Sequence, residues 1–143
     1  MIAFPPCTHL AVSGAKWFAG KQKEQKEALD FIRLLLDAPI PKICIENPVG
    51  IISTKIRKPD QIIQPYMFGH DASKKTCLWL KNLPILEPTK WISPSHGTGL
   101  NGKLYYANQT PSGQNKLGPS PDRWKERSRT YTGIAEAMVQ QWS

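Results

Sequence analysis

The sequence predicts an α/β fold with a parallel sheet, and three segments carry that prediction. A short apolar run, MIAF (1–4), is followed by an amphipathic helical segment (21–37) and by a second apolar run, KICIE (42–46). The order strand, polar turn, helix, loop, strand is that of a βαβ unit, whose two strands lie parallel in one sheet. The length of 143 residues and the hydrophobic content of 40% are typical of one globular domain.

Each of these elements has its own pattern. MIAF is typical of the tail of a buried strand, and Pro5 ends it. In segment 21–37 apolar residues recur at spacings of three and four, and Pro39 and Pro41 end the helix. The apolar face is predicted to contain Ala28, Phe31, Ile32, Leu35 and Leu36. KICIE combines β-branched and apolar residues, which predicts a second buried strand.

The second half of the chain is less regular. Segment 61–69 contains a possible strand, and TCLWL (76–80) predicts a clearer one. Residues 92–121 are rich in glycine and proline and poor in aliphatic residues, which predicts a long loop or small insertion. A hairpin is expected there around Lys103–Tyr106.

The last segment predicts a helix, GIAEAMVQQW (133–142), with Thr132 as its N-cap. This helix is expected to bury Ile134, Met138 and Trp142. The organisation predicted for residues 1–143 is a single domain with three parts. They are a βαβ core (1–91), the loop or insertion (92–121) and a basic segment with its helix (122–143).

The net charge of +8 is unevenly distributed. Residues 1–50 hold six Lys and Arg against five Asp and Glu, and residues 51–143 hold thirteen against six. A basic half favours a polyanionic partner, most often nucleic acid, and the alternative is a solubilising lysine-rich surface. No apolar run has the length of a membrane span. Three cysteines without a secretory signal favour free thiols in a reducing cytoplasm.

Cys7 and Glu46 are the candidates for chemistry. Cys7 follows two prolines, Pro5 and Pro6, which stiffen the backbone and can aim a nucleophile. Glu46 and Asn47 end the next parallel strand, so they are expected on the same rim of the sheet as Cys7. A thiolate can attack an electrophilic carbon while an acid protonates a ring nitrogen. The alternatives are a small buried hydrophobe for Cys7 and a turn-capping carboxylate for Glu46.

Other reactive side chains favour structural interpretations. Cys44 and Cys77 lie inside apolar strands and are expected in the core. A zinc site formed by cysteines and His9 lacks the paired short spacings of such sites, so no metal is predicted. His9 and His70 are expected to be loop histidines. Trp17 and Trp91 are expected to pack in the core or at an interface, and the alternative is that they stack on bases. The cluster Arg123–Arg129 either faces phosphate or forms a solvated helix edge.

Several motifs together resemble those of DNA (cytosine-5) methyltransferases. FPPCTHLAVSG resembles the Pro-Cys motif, and IENPVG resembles the Glu-Asn motif, with proline where valine is usual. GHDASKKTCLWL is similar to a later basic-then-strand motif, with Lys74 and Lys75 where the family has arginines. SPDRWKERSRTYTGIAEAMVQQW is similar to the closing segment. The resemblance is greatest to a phage and prophage branch, which implies a bacterial host cytoplasm, and it covers nearly all of the chain outside 92–121.

The resemblance implies a fold, a mechanism and a substrate. The fold is half of a Rossmann-like methyltransferase sheet with flanking helices. Cys7 would add to C6 of a flipped cytosine, Glu46 would hold and protonate N3, and Asn47 would orient the Pro-Cys loop. Lys75 and one of Arg127 or Arg129 would contact phosphate or the cytosine edge. The residues implied in substrate binding are Pro5, Pro6, Lys74, Lys75, Arg127 and Arg129.

The resemblance also implies S-adenosylmethionine as cofactor, but its binding motif has no counterpart here. The strand, glycine-rich turn and acidic residue that hold the cofactor precede the Pro-Cys motif in that family, and GTGLNG (97–102) lies in a loop. We therefore expect a methyltransferase fragment or split subunit that is inactive alone. The alternative is a non-enzymatic DNA- or protein-binding module, such as a phage counter-defence protein. An exposed Met1–Phe4 edge predicts a homodimer or a companion polypeptide.

Overall fold

The computed structural model describes the backbone of residues 1–143 and every side chain except that of Trp17, so the packing expected of that ring lies outside the described residues. The fold is mixed α/β and forms two compact units that interleave along the chain. The first unit contains Met1–Ile63 and Lys75–Ile85, and the second contains Gln64–Lys74 and Leu86–Ser143. Among the described residues, no helix has the length and apolar character needed to cross a membrane.

A four-stranded mixed sheet forms the first unit, in the order β1-β2-β4-β3. β1 (Ile2–Ala3) pairs parallel with β2 (Ile43–Pro48), and α1 (Gln22–Leu36) connects them, so the predicted βαβ unit is confirmed. β4 (Thr76–Lys81) runs antiparallel to β2 and to β3 (Gln61–Ile63), so the prediction of a wholly parallel sheet is wrong. Only β1 and β2 are joined by a long helical crossover of the kind that parallel neighbours need.

The core of the first unit lies between α1 and one face of this sheet. Leu29 and Ile32 of α1 are buried, and Ala28, Leu35 and Leu36 pack against the same cluster. The sequence predicts Phe31 on this face, but Phe31 is 45% exposed, because the buried stripe of α1 runs through Leu29 and Ile32 and Phe31 lies at its margin. The sheet contributes the fully buried residues Ile43, Ile45 and Trp79, together with Cys77.

β1 lies at the edge of the sheet, which confirms the expected Met1–Phe4 edge and corrects the expectation that MIAF ends a buried strand. Ile2 and Phe4 are exposed, and Ala3 is half-buried. β1 has a hydrogen-bonded neighbour on one side only, β2. An edge strand with apolar side chains on its surface is an available pairing site for another strand.

The second unit contains a hairpin and two helices. β5 (His96–Thr98) and β6 (Leu104–Tyr106) pair antiparallel, which confirms the hairpin expected near Lys103–Tyr106. A short helix of the first unit, α2, spans Ile52–Lys55, and in the second unit α3 spans Arg123–Ser128 and α4 spans Thr132–Trp142. α4 buries Ile134, Ala137, Met138 and Trp142.

The start of α4 differs from the prediction. Thr132 is the first residue of the helix, and the N-cap is Tyr131, which makes no side-chain capping bond. The backbone N–H of Gly133 instead donates a hydrogen bond of 2.9 Å to Nε2 of His70. His70 is therefore a structural acceptor for a helix terminus whose first N–H groups lack intrahelical partners. This contact is consistent with the interpretation of His70 as a loop histidine.

Candidate functional site

The Pro-Cys and Glu-Asn segments leave the sheet at the same end. Ala3 lies opposite Ile45 in the parallel β1–β2 pair, so the chain beyond each strand emerges on one side. β4 begins at this end, because Thr76 pairs with Pro48, and Lys75 immediately precedes it. The carboxyl end of a parallel pair is the usual position of ligand sites in open α/β sheets.

A buried side chain connects the two segments. Asn47 is 1% exposed, and its Nδ2 donates a hydrogen bond of 2.9 Å to the carbonyl oxygen of Pro5. Its Oδ1 is also buried and has no hydrogen-bond partner among the described residues. Buried polar atoms without partners are uncommon, and functional sites are one of the places where they occur.

Backbone hydrogen bonds extend this connection. The N–H of Val12 donates to the carbonyl of Val49 at 3.0 Å, and the N–H of Ile51 donates to the carbonyl of Leu10 at 2.9 Å. Gly50 lies so close to Leu10 that an added Cβ would be 2.0 Å from the Leu10 carbonyl oxygen. We call residues 5–12 and 47–51, joined by these contacts, the motif clamp.

Cys7 lies in the turn that the motif clamp holds. Its side chain is half-buried, and its carbonyl accepts hydrogen bonds of 3.0 Å from the N–H groups of both Leu10 and Ala11. Pro5 is buried and Pro6 is exposed. The thiol is free, and a partly accessible thiol on a stiffened turn has the placement that nucleophilic chemistry needs.

Glu46 lies within β2, two residues before its end, and is half-buried. Because side chains alternate along a strand, Glu46 points to the same face as Cys44. Burial, together with the Glu46 charge, raises the pKa of Cys44 to about 12, and the same two causes raise the pKa of Cys77. Both thiols are fully or almost fully buried, which confirms that they belong to the core.

Three of the basic residues implied in substrate binding lie in the second unit. Nζ of Lys74 donates a hydrogen bond of 3.1 Å to the carbonyl of Arg127, and its backbone N–H donates to Oε1 of Gln64 at 2.9 Å. Arg127 is in α3, Arg129 follows that helix, and both are exposed. Lys74 is thus tied to α3, whereas Lys75 belongs to the first unit and is exposed.

The described residues contain no group of three or more His, Cys, Asp or Glu side chains placed to hold a metal ion. Cys7, Cys44 and Cys77 are free thiols. The zinc alternative considered from the sequence therefore has no geometric support in the described part of the chain.

Two features of the surface and the site were not foreseen. Gly50 follows Asn47 closely in IENPVG, and a glycine at that point is the signal for a close backbone approach. The sequence predicts that Trp91 packs in the core or at an interface, but the residue is 64% exposed. Tyr66 lies beside it, with a ring-centroid distance of 6.0 Å.

Comparison with protein-family models, with curated proteins and with solved structures finds no match to this chain. Function is therefore inferred from the residues and their geometry.

Proposed function

We propose that this chain is a DNA cytosine-5 methyltransferase-like protein of the phage type, whose Cys7, Glu46 and Asn47 engage a cytosine flipped out of duplex DNA. The observation that supports the proposal is the motif clamp. It holds a Pro-Cys segment and a Glu-Asn segment together at the end of a parallel strand pair. In this proposal β1, α1 and β2 are the catalytic half of a Rossmann-like methyltransferase sheet.

The proposed chemistry is an addition to the cytosine ring. The Cys7 thiol gives its proton to solvent, and the thiolate sulfur forms a bond to C6. The C5–C6 double bond is lost, electron density moves toward N3, and N3 takes a proton from the Glu46 carboxylic acid. C5 then has enamine character and can take a proton from water. Loss of the other C5 proton to water, return of the N3 proton to the Glu46 carboxylate and departure of the thiolate from C6 restore the cytosine ring.

Asn47 is a positioning residue in this scheme. Its amide holds the carbonyl of Pro5, two residues before the nucleophile, and so orients the turn that carries Cys7. Nucleophilic attack requires the sulfur to be placed within a few tenths of an ångström, which a buried hydrogen bond and a stiff Pro-Pro pair can provide.

Basic residues are proposed to hold the DNA backbone. Lys75 lies at the same end of the sheet as the motif clamp, and Lys74, Arg127 and Arg129 form a basic group in the second unit. The net charge of +8 favours a polyanion. Substitution of these four residues by Ala is expected to flatten the slope of log K against log salt, because fewer counterions are released. A slope unchanged by the substitutions would show that the charge is only solubilising.

The residues of this chain do not fit S-adenosylmethionine. The glycines of GTGLNG (97–102) lie within and between β5 and β6, in a hairpin turn that leads into a strand and not into a helix, and Gly50 after β2 is covered by Leu10, so neither forms the strand–turn–helix loop that the cofactor requires. We derive no step through the methyl donor, and we propose that methyl transfer requires a companion polypeptide. Calorimetric titration of the isolated chain is expected to show no appreciable binding, and a micromolar dissociation constant would contradict this expectation.

The exposed edge favours a second candidate, a non-enzymatic module that binds DNA or a partner protein. β1 has one strand neighbour, and Ile2 and Phe4 are exposed there. A second copy of the chain or a companion strand can pair with this edge. A phage counter-defence protein that keeps this fold without the addition chemistry is an example of such a module.

Hydrogen exchange at C5 of cytosine separates the two candidates. A duplex library of random sequence is incubated with the chain in heavy water, and deuterium in the recovered deoxycytidine is measured by mass spectrometry. The addition chemistry predicts exchange by the wild-type chain, none by Cys7→Ser, and much less by Glu46→Gln. The control Cys44→Ala retains exchange, because that thiol is buried. If the wild-type chain binds the DNA without exchange, the binding-module candidate replaces the enzymatic one.

A further inference from the structure

Four aromatic rings of the second unit form a continuous row. The ring of His96 lies 4.8 Å from that of Tyr106, the ring of Tyr106 lies 6.1 Å from that of Tyr66, and the ring of Tyr66 lies 6.0 Å from that of Trp91. The Tyr66–Tyr106 pair is nearly parallel, with an interplanar angle of 18°. We call these four residues the ring row. None of them belongs to the site proposed above.

Backbone pairing holds the ring row in place. His96 lies opposite Tyr106 in the β5–β6 hairpin, so their rings share one face. The N–H of Ile92 donates to the carbonyl of Tyr66 at 3.0 Å, which places Trp91 beside Tyr66. The rings therefore come from three separate segments that are fixed to one another, and the row is preorganised.

The ends of the ring row are accessible. Trp91 is 64% exposed, His96 is exposed, and Tyr66 and Tyr106 are half-buried between them. Large aromatic side chains on a surface usually mark an interaction site when they form a cluster. A tryptophan that contributes mainly to the core would not leave most of its ring in solvent.

The charge around the ring row is positive. Residues 88–121 contain Lys90, Lys103 and Lys116 and no Asp or Glu. Nζ of Lys116 lies 5.4 Å from the centroid of the Tyr105 ring, which alternates with Tyr106 along β6 and so lies on the other face of the hairpin. One exposed carboxylate, that of Asp71, interacts with His96 and accepts hydrogen bonds from the backbone N–H and hydroxyl of Ser95, so Lys90 and Lys103, which flank the rings in sequence, outnumber it.

We propose that the ring row is a stacking platform for the unpaired bases of a DNA strand. Aromatic rings accept bases of any sequence on their faces, and lysines alongside them hold the phosphates, which is the combination found in single-strand binding surfaces. A proline-rich peptide also uses aromatic grooves, but it gains nothing from a surround in which lysines outnumber carboxylates. The choice of DNA as the ligand rests on the proposed function, because a flipped base leaves its strand partly unpaired.

The test compares two exposed tryptophans of the same unit. Trp91→Leu removes an end of the ring row, and Trp124→Leu makes the same change in α3, where the side chain is 66% exposed. Affinity is measured by fluorescence anisotropy with a labelled single strand of about 12 nucleotides, a length within the range of known single-strand sites. We expect Trp91→Leu to weaken binding about tenfold, as for the loss of one base–aromatic stack, and Trp124→Leu to leave it within about twofold.

An oligonucleotide with abasic sites throughout separates stacking from charge. Trp91→Leu is expected to have no effect on binding of this probe, and Trp91→Phe, which keeps a ring, retains most of the affinity for the normal strand. Equal losses in the two tryptophan variants, the same loss with the abasic probe, or displacement of the strand by a proline-rich peptide would overturn the proposal. The C5 exchange experiment measures deuterium in cytosine of duplex DNA, and this one measures single-strand affinity through Trp91, so loss of exchange with Trp91-dependent binding intact overturns only the proposed function.

Discussion

In the first unit the residues of the candidate site are joined by backbone hydrogen bonds around a buried Asn47, whereas in the second unit the ring row and the arginines near α3 lie on the surface. A nucleophile must be aimed, and the motif clamp limits how far Cys7 can move. A surface for a long polymer needs accessible rings and charges instead. The two regions are therefore expected to respond differently to substitution, with large losses of stability in the first and losses of affinity in the second.

Thiol labelling is expected to show the largest contrast within the first unit. Cys7 is half-buried, whereas Cys44 and Cys77 are buried and have raised pKa values, so their reactive thiolates are scarce. Cys7 should react with iodoacetamide more than about a hundredfold faster, because the other two thiols require local opening. Mass spectrometry after brief alkylation measures the three rates. Similar labelling of all three would show that the Pro-Cys turn has no special accessibility.

Gly50→Ala tests the closest approach in the motif clamp. The added Cβ would meet the Leu10 carbonyl oxygen at 2.0 Å, so either the turn or the strand end must move. We expect the free energy of unfolding in urea to fall by about 3 kcal/mol or more. The matched control is Gly118→Ala, where an added Cβ meets no atom within 4 Å, and it should leave stability unchanged or slightly higher. An equal change in the free energy of unfolding at both glycines would contradict the close approach of Gly50 to Leu10.

Asn47→Ala tests the buried connection itself. It removes the donor to the Pro5 carbonyl and leaves that carbonyl without its partner, which is expected to cost about 2 kcal/mol. The control Asn101→Ala removes an exposed hydrogen bond to the N–H of Lys103 and should cost less than about 0.5 kcal/mol. Faster alkylation of Cys7 in Asn47→Ala would show that the amide positions the turn. An unchanged rate of Cys7 alkylation and an unchanged stability would show that Asn47 does not position the Cys7 turn.

Alkaline pH is expected to produce a smaller, gradual effect through Cys44. Its thiol has an ordinary pKa of 9.0 and a pKa of about 12 in the folded chain, because burial and then Glu46 disfavour the thiolate. Below pH 9 the thiol is neutral in both states. Between pH 9 and pH 12 the unfolded state loses the proton first, so the free energy of unfolding falls as pH rises.

Denaturation at a series of pH values measures that slope. Cys44→Ala should flatten it relative to the wild-type chain, whatever the effect of the substitution on stability at neutral pH. The same slope in both proteins would contradict the raised pKa of Cys44 and the burial that is its main cause.

The sequence predicted the elements of the first unit better than their pairing. Apolar periodicity located α1 and the two strands that it joins, because each is one continuous segment with its own pattern. The antiparallel direction of β4 was missed, since a short apolar run such as TCLWL looks the same in either direction. The sequence analysis includes Phe31 in the buried face of α1 and omits Leu29. Both residues are apolar, and tertiary packing decides which of them is buried.

The candidate site was predictable only in part. The rim shared by Cys7 and Glu46 follows from the βαβ order, and the structure brings their segments together there. The resemblance implied that Asn47 orients the Pro-Cys loop, but its hydrogen bond to the carbonyl of Pro5 is visible only in the structure. The ring row was not predicted, because Tyr66, Trp91 and Tyr106 are far apart in sequence and meet only through long-range backbone pairing.

Covalent trapping tests the central proposal, that Cys7 adds to a pyrimidine ring, most directly. A duplex library that carries 2-pyrimidinone in place of cytosine presents a more electrophilic C6, because the ring lacks the 4-amino group. Intact-mass spectrometry of the chain after incubation is predicted to show a DNA adduct, and peptide mapping is predicted to place it on Cys7. The adduct should be absent from Cys7→Ser and present in Cys77→Ala. No adduct with bound DNA, or an adduct on Cys44 or Cys77, would contradict the proposal.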